Sequence, residues 1–170
     1  MTMTDDNDSQ NLVIERTLAA PPDLIWKMWT EPQHFAAWYG PGGATIPVAR
    51  MDVRVGGSRL LCMEMTTPNG VRRMWFTGEY LEVIENQRLV YTDSMSDEHG
   101  NVMSLEQLGM PAGHPTRTQV SIVLEPTSEG TTMVLTHSGV PAGSPGAVGW
   151  TMALDKLATH LQETQQAPSA

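Results

Sequence analysis

Apolar and polar positions alternate along most of the chain, which is typical of β-strands with one buried face. Residues common in turns separate these runs, and Asn69-Gly70 and Glu129-Gly130 are strong hairpin signals. The segments that we predict as strands are 12–18, 44–55, 58–65, 71–84, 88–95, 118–126 and 131–140. Because short turns join most of them, we expect the strands to pair antiparallel.

Three other segments have helical spacing. Pro21 and Pro22 can open a helix but cannot continue a strand, and apolar residues then recur along 23–32 and 32–40. The segment 149–162 predicts one long amphipathic helix. Its apolar positions are Trp150, Ala153, Leu154, Leu157 and Leu161.

The order of these elements is one strand, two short helices, six further strands and a long helix. The economical packing is α+β: a curved antiparallel sheet of six to seven strands wrapped around the C-terminal helix. Side chains between a bent sheet and one helix need not fill all the space, and such cavities are mostly apolar. We predict a single domain over residues 11–163, with disordered tails at 1–10 and 164–170.

Composition excludes several classes of function. The 170 residues include 10 basic and 19 acidic side chains, and the net charge of −9 opposes binding to nucleic acid or anionic lipid surfaces. Cys62 is the single cysteine, which excludes an internal disulfide and fits a reducing compartment. We find no secretory signal and no apolar run of the roughly 18 residues that a membrane span needs. We therefore expect a cytoplasmic protein with no membrane insertion.

The sequence offers little catalytic chemistry. The five histidines have none of the spacings typical of metal sites, and there is no GxSxG nucleophile motif. We predict no metal, no cofactor and no assigned catalytic residue. His137 shares a strand face with Met133 and Leu135, so it joins an apolar row. A structural role is the commoner one for such a histidine, although His137 is also the best acid–base candidate.

Charged residues form two groups that we interpret as solvated surface. The acidic group lies beside the loop after the fifth predicted strand, and the arginines lie on or beside earlier strands. The members are Asp93, Asp97 and Glu98, and Arg50, Arg54 and Arg59. Arginines in this position can bind a carboxylate, but surface ion pairs are the favoured interpretation.

The segment FAAWYGPGG, residues 35–43, places two aromatic side chains directly before a glycine-rich turn. The glycines supply turn dihedrals, whereas Trp38 and Tyr39 either anchor the core or line a cavity entrance. Strand parity and the adaptable methionines suggest further lining residues. The predicted ligand-binding set is Trp38, Tyr39, Met63, Met65, Tyr80, Tyr91, Met103, Met110, His137, Trp150 and Leu154. The long loop 96–116 is either a lid or a surface excursion.

Five runs resemble a known family when taken in order and spacing. They are RTLAAPPDLIWKMWTEPQHFAAWYGPGG, MDVRVGG, GEYLEVIENQRLVYT, TTMVLTHSGVP and GWTMALDKLATHL. Over about residues 11–163 the chain resembles the activator-of-heat-shock-protein-ATPase homologue (AHSA-like) family of the START-like, or SRPBCC, superfamily. The resemblance implies a helix-grip fold with a cavity for hydrophobic small molecules. Superfamily members include lipid carriers, hormone receptors, polyketide cyclases and co-chaperone domains.

Three functions from different classes follow. The leading hypothesis is binding of a hydrophobic or aromatic small molecule between the sheet and the C-terminal helix. The second is a co-chaperone-like interaction module; the eukaryotic co-chaperones resemble this chain only over their C-terminal domain, which makes ATPase activation the weaker expectation. The third is a cyclase or hydrolase with His137, Tyr80 or Tyr91 as acid–base groups. A symmetric homodimer through the long loop or the short helices is a further hypothesis.

Overall fold

The structure is a computed structural model that describes residues 11–109, 116–140 and 143–166. Apart from one additional helix of 4 residues after the fifth strand, its elements follow the order that the hydrophobic pattern predicts. In chain order they are β1 Asn11–Leu18, α1 Pro22–Thr30, α2 Pro32–Trp38, β2 Thr45–Met51, β3 Ser58–Thr67, β4 Gly70–Ile84, β5 Arg88–Ser96, α3 Leu105–Leu108, β6 Thr118–Thr127, β7 Gly130–Ser138 and α4 Pro145–Gln166.

Within the described residues, seven strands form one curved antiparallel sheet in the order β1-β7-β6-β5-β4-β3-β2. The first strand therefore crosses to pair with the last, with Leu12 opposite His137. A register shift in β4 between Tyr80 and Glu82 interrupts the ladder to β5, and such bulges bend a strand. The predicted α+β helix-grip architecture is confirmed.

One face of α4 is buried, as its apolar spacing predicts. Its buried residues are Ala147, Trp150, Ala153, Leu154, Leu157 and Leu161. The helix is longer than predicted at both ends. It starts at Pro145, where the Ser144 hydroxyl accepts from the Ala147 amide at 3.4 Å, and it continues to Gln166, into the segment expected to be disordered. Residues 1–10 and 167–170 of the predicted tails lie outside the described residues.

The first part of the predicted long loop is ordered by local hydrogen bonds. The Asp97 carboxylate accepts from the amides of His99 and Asn101 at 2.8 and 2.9 Å, so the chain turns back and Val102 pairs with Ser96. The short helix α3 then begins with a capping box between Ser104 and Gln107. Met110 falls outside the described residues. No described helix is both long enough and apolar enough to cross a membrane.

Candidate functional site: a cavity between the sheet and the long helix

A cavity of about 170 Å³ lies between α4, the turn that follows α2, and the concave face of the sheet. Most of its lining is apolar or small, with one carboxyl and one imidazole. The described lining residues are Tyr39, Gly40, Pro41, Met63, Phe76, Asp93, His137, Val140, Gly146, Gly149, Trp150 and Ala153.

A larger groove of about 800 Å³ lies elsewhere, near the start of α1 and the ends of β4 and β6. Its walls include Asp23, Asn86, Arg88 and Glu125 on exposed turns and strand ends. A broad groove with such polar walls leaves a small ligand in contact with water. The smaller cavity under α4 has the more apolar lining and is therefore the better candidate site.

The two aromatic residues before the glycine-rich turn have different roles. Trp38 is fully buried, its indole Nε1 donates to the Met28 carbonyl at 3.0 Å, and its ring packs edge-on against Trp29. Tyr39 lines the cavity and stacks on Phe35 with ring centroids 4.6 Å apart. The first residue anchors the core, and the second forms part of the cavity wall.

The turn after α2 packs closely over the cavity. Gly40 has φ of +92°, and a Cβ at this position would lie 3.1 Å from the Cε of Met63. The backbone conformation therefore favours glycine, and a Cβ would in addition crowd the end of the Met63 side chain. The Lys156 ammonium of α4 donates to the carbonyls of Pro41 at 3.1 Å and Tyr39 at 3.5 Å. These contacts attach the turn to the helix.

His137 is held by hydrogen bonds at both ring nitrogens. The Trp150 indole Nε1 donates to Nδ1 at 2.8 Å, so Nδ1 is unprotonated and Nε2 carries the proton. Nε2 then donates to the Thr118 hydroxyl at 2.7 Å, and that hydroxyl donates to the Asp93 carbonyl at 3.2 Å. Burial lowers the pKa of His137 to about 4. This histidine is therefore neutral at neutral pH and fixes Trp150 in the cavity wall.

A buried ion pair lies beside the cavity. Arg59 is 2% exposed, and its guanidinium lies 3.8 Å from the centroid of the Tyr91 ring. Its Nη1 lies 3.7 Å from Oδ1 of Asp93, which is too long for a hydrogen bond. Nε and Nη2 of Arg59 and the Tyr80 hydroxyl are buried without a hydrogen bond of normal geometry among the described residues.

Asp93 is the single acidic residue that lines this cavity among the described residues. It is 9% exposed, and its Oδ1 is buried with no described hydrogen-bond partner. Burial raises the pKa of the Asp93 carboxyl to about 6, although the Arg59 charge acts in the opposite direction. The carboxyl is thus poorly solvated, and the residue forms part of the cavity wall.

The surface interpretation of Asp93 and Arg59 was wrong, because both side chains are buried and face each other. Strand parity contains the signal that identifies them. Arg59 has the parity of the buried Leu61 and Met63 on β3, and Asp93 has the parity of Tyr91 on β5. Opposite charges at inward-facing positions on two strands of one sheet indicate a buried ion pair. The other members of the two groups are exposed or partly exposed, as expected.

The structure brings some of the predicted ligand-binding residues together and separates others. Tyr39, Met63, His137 and Trp150 line the cavity. Trp38, Tyr80, Tyr91 and Leu154 are buried in the surrounding core, and Met65 packs against it. Met103 is partly buried in the segment before α3 and does not line the cavity. Pattern analysis missed Asp93 and Phe76, which strand parity alone could have suggested, and the glycines of α4.

The described residues contain no group of three or more His, Cys, Asp or Glu side chains placed to hold a metal ion. His34 and His160 form a pair between α2 and α4, with Nδ1 and Nε2 3.1 Å apart. A hydrogen bond between the two rings accounts for this distance. The cavity itself has a largely apolar lining with one carboxyl and one imidazole.

Comparison with known structures gives consistent matches over nearly the whole chain. Protein CV1439 from Chromobacterium violaceum is 27% identical with a TM-score of 0.73, and the match covers 90% of this chain and 97% of that chain. Protein NE0264 from Nitrosomonas europaea is 25% identical with a TM-score of 0.72, covering 94% and 98%. The AHSA1 protein from Silicibacter pomeroyi shares the fold at 22% identity, with a TM-score of 0.68 and coverage of 91% and 99%.

At the level of sequence, no curated protein matches this chain. The model of one family does match, over residues 19–162, and its description is "Activator of Hsp90 ATPase homolog 1-like protein". This range extends from the end of β1 almost to the end of α4, so it contains the turn, the cavity and the buried ion pair. The chain therefore belongs to the family of Activator of Hsp90 ATPase homolog 1-like proteins.

Proposed function

We propose that the protein binds a small apolar or aromatic molecule in the cavity between the sheet and α4. The observation that carries the proposal is a partly open, largely apolar cavity of about 170 Å³ lined by Tyr39, Phe76, Met63 and Trp150. An apolar cavity of about 150 Å³ accommodates benzene. The volume therefore suits a molecule built on one aromatic ring and is too small for a lipid with a long acyl chain.

The position of Gly149 supports this proposal. Glycine in a helix interior costs about 0.5–1 kcal/mol relative to alanine, and Gly149 lies in the second turn of α4. A Cβ at this position would meet no atom within 4 Å, so packing does not require glycine here. At Gly146, by contrast, a Cβ would lie 3.0 Å from Cγ1 of Val140. Gly149 leaves open a space that a side chain would occupy.

The turn at Tyr39, Gly40 and Pro41 offers a route into the cavity. It forms one wall and is attached to α4 through the Lys156 ammonium. Because these contacts join a side chain to backbone carbonyls, they can break without disturbing the sheet. We therefore assign ligand entry to displacement of this turn.

The family and the fold support either a ligand-binding or a co-chaperone-like domain. The cavity favours ligand binding, because an interaction module has no need of an empty space in its core. A chaperone assay separates the two functions: we expect no stimulation of Hsp90 ATPase turnover by the purified protein. Saturable stimulation would favour the co-chaperone function.

The proposal is tested by titration of the purified protein with toluene in a calorimeter, together with native mass spectrometry of the protein as isolated. We expect saturable binding of one toluene per chain to the wild type. Gly149→Leu should abolish this binding because its side chain fills the cavity, whereas Val148→Leu should not, because Val148 is 57% exposed on the same helix. A wild type that is isolated bare and binds no toluene would overturn the proposal, as would equal binding by Gly149→Leu.

A further inference from the structure

The carboxyl of Asp93 lines the proposed ligand cavity without a hydrogen-bond donor of its own. Its Oδ1 is buried and has no partner among the described residues, and the nearest cationic nitrogen, Nη1 of Arg59, is 3.7 Å away. Buried carboxylates normally accept several hydrogen bonds, so an unpaired one requires an explanation. Oδ1 lies toward Arg59 and has no accessible surface, but the Asp93 side chain keeps 11% exposure and lines the cavity, so a ligand there can donate a hydrogen bond to the other carboxyl oxygen, Oδ2.

The charged and titratable groups around Asp93 come from several elements. Arg59 lies on β3 and Tyr91 on β5, and the Tyr39 side chain comes from the end of α2. Tyr80 of β4 contacts both Arg59 and Tyr91. Burial raises the pKa of all three tyrosines, so they stay neutral. Across the cavity, His137 of β7 is neutral and uses both ring nitrogens in other bonds.

This arrangement selects the charge of the ligand. A cationic ligand would enter an apolar cavity that already has the Arg59 guanidinium beside it, and an anionic ligand would face the Asp93 carboxylate. Either one adds an uncompensated charge to a buried site, which is costly. A neutral molecule adds none, and its O–H or N–H group forms a charge-assisted hydrogen bond to the carboxylate.

We infer that the cavity selects neutral monocyclic aromatic molecules with an O–H or N–H donor, which the Asp93 carboxylate accepts. This inference rests on the proposed function and names the ligand class for the same site. Phenols and anilines are the simplest members of the class. Their rings match the cavity volume and lie against Trp150 and Phe76, while the donor reaches Asp93.

The test is a calorimetric ranking of phenol, anisole and toluene on the wild-type protein at pH 7.5. The three probes have similar ring size, but phenol alone donates a hydrogen bond. A hydrogen bond to a charged group corresponds to a preference of roughly 10- to 100-fold, so we expect phenol to bind more tightly than either other probe by about this factor. Protonated benzylamine should bind more weakly than phenol.

A variant pair assigns the preference to Asp93. Asp93→Asn should remove most of the advantage of phenol over anisole, whereas Asp155→Asn, the same change at an exposed position of α4 that does not line the cavity, should leave it intact. Because Asp93→Asn leaves Arg59 without its counter-ion, the wild-type ranking provides a measurement that does not depend on folding of this variant.

The outcomes separate the claim that the cavity binds a ligand from the claim that Asp93 selects a hydrogen-bond donor. If none of the probes binds, the proposed function fails. If toluene, anisole and phenol bind equally, the cavity binds ligands but the inference about Asp93 is overturned. Tighter binding of benzylamine than of phenol, or an unchanged phenol preference in a folded Asp93→Asn variant, would also overturn it.

Discussion

Replacing Gly149 by alanine should stabilise the protein and weaken ligand binding at the same time. The glycine lies in the second turn of α4, where alanine is favoured by about 1 kcal/mol. The added methyl group enters a space with no atom within 4 Å, so it neither clashes nor gains packing contacts. The free energy of unfolding should therefore rise by about 1 kcal/mol from helix propensity alone.

For a chain of this size, each kcal/mol raises the Tm by about 2–4 °C. We therefore expect Gly149→Ala to melt roughly 2–4 °C higher in a calorimetric scan. The matched control is Val148→Ala on the exposed side of the same turn, which should gain about 0.5 kcal/mol from helix propensity. The control should bind toluene as the wild type does, whereas Gly149→Ala should bind it more weakly.

Two results would refute this reasoning. If Gly149→Ala lowers the Tm, the added methyl group meets atoms that the structure places elsewhere. If it raises the Tm but leaves toluene affinity unchanged, position 149 does not face the binding site.

Three further predictions concern the walls of the cavity. His137 has a folded pKa of about 4 against about 6.5 when unfolded, so its contribution to stability is full above pH 6.5 and is lost as the pH falls towards 4. In urea titrations, the difference in unfolding free energy between wild type and His137→Asn should thus shrink by about 3 kcal/mol between pH 7 and pH 4. A difference that stays constant with pH would contradict the assignment of this pH dependence to His137. Trp38→Phe should lower the free energy of unfolding by about 2–3 kcal/mol, because it leaves a buried carbonyl unpaired. Trp26→Phe, at a partly buried position, should lower it clearly less. Equal losses in urea denaturation would contradict the role of Trp38 as a core anchor. Lys156→Met should lower the free energy of unfolding by about 1 kcal/mol. It should also raise the rate of toluene dissociation measured by relaxation-dispersion NMR. An unchanged dissociation rate would exclude the turn as the entry route.

The sheet could be predicted from sequence because its turns are encoded locally. Asn69-Gly70 closes the β3–β4 hairpin and Gly130 opens β7, and β6 and β7 alternate buried and more exposed positions. The long helix followed from its apolar spacing, but its first turn did not, because Pro145 and Gly146 interrupt that spacing. Helix starts depend on caps such as Ser144 more than on periodicity.

The cavity itself could not be predicted, because an empty volume is a small difference between large packed volumes. Parity placed Met63 and His137 on inward faces, but it could not show that His137 uses both ring nitrogens within the wall. The buried pair of Arg59 and Asp93 was missed because charged residues are usually exposed, and that general tendency outweighed the parity of the two positions.

The most direct test of the proposed binding site is a phenol titration of the ¹⁵N-labelled wild-type protein, monitored by two-dimensional NMR. We predict saturable shifts of backbone amides around the cavity, at Gly40, Gly149 and Ala153, with one site per chain. Saturable shifts centred on Asn86 and Glu125 in the outer groove, or no saturable shifts up to the solubility limit of phenol, would contradict the assignment of function to the cavity under α4.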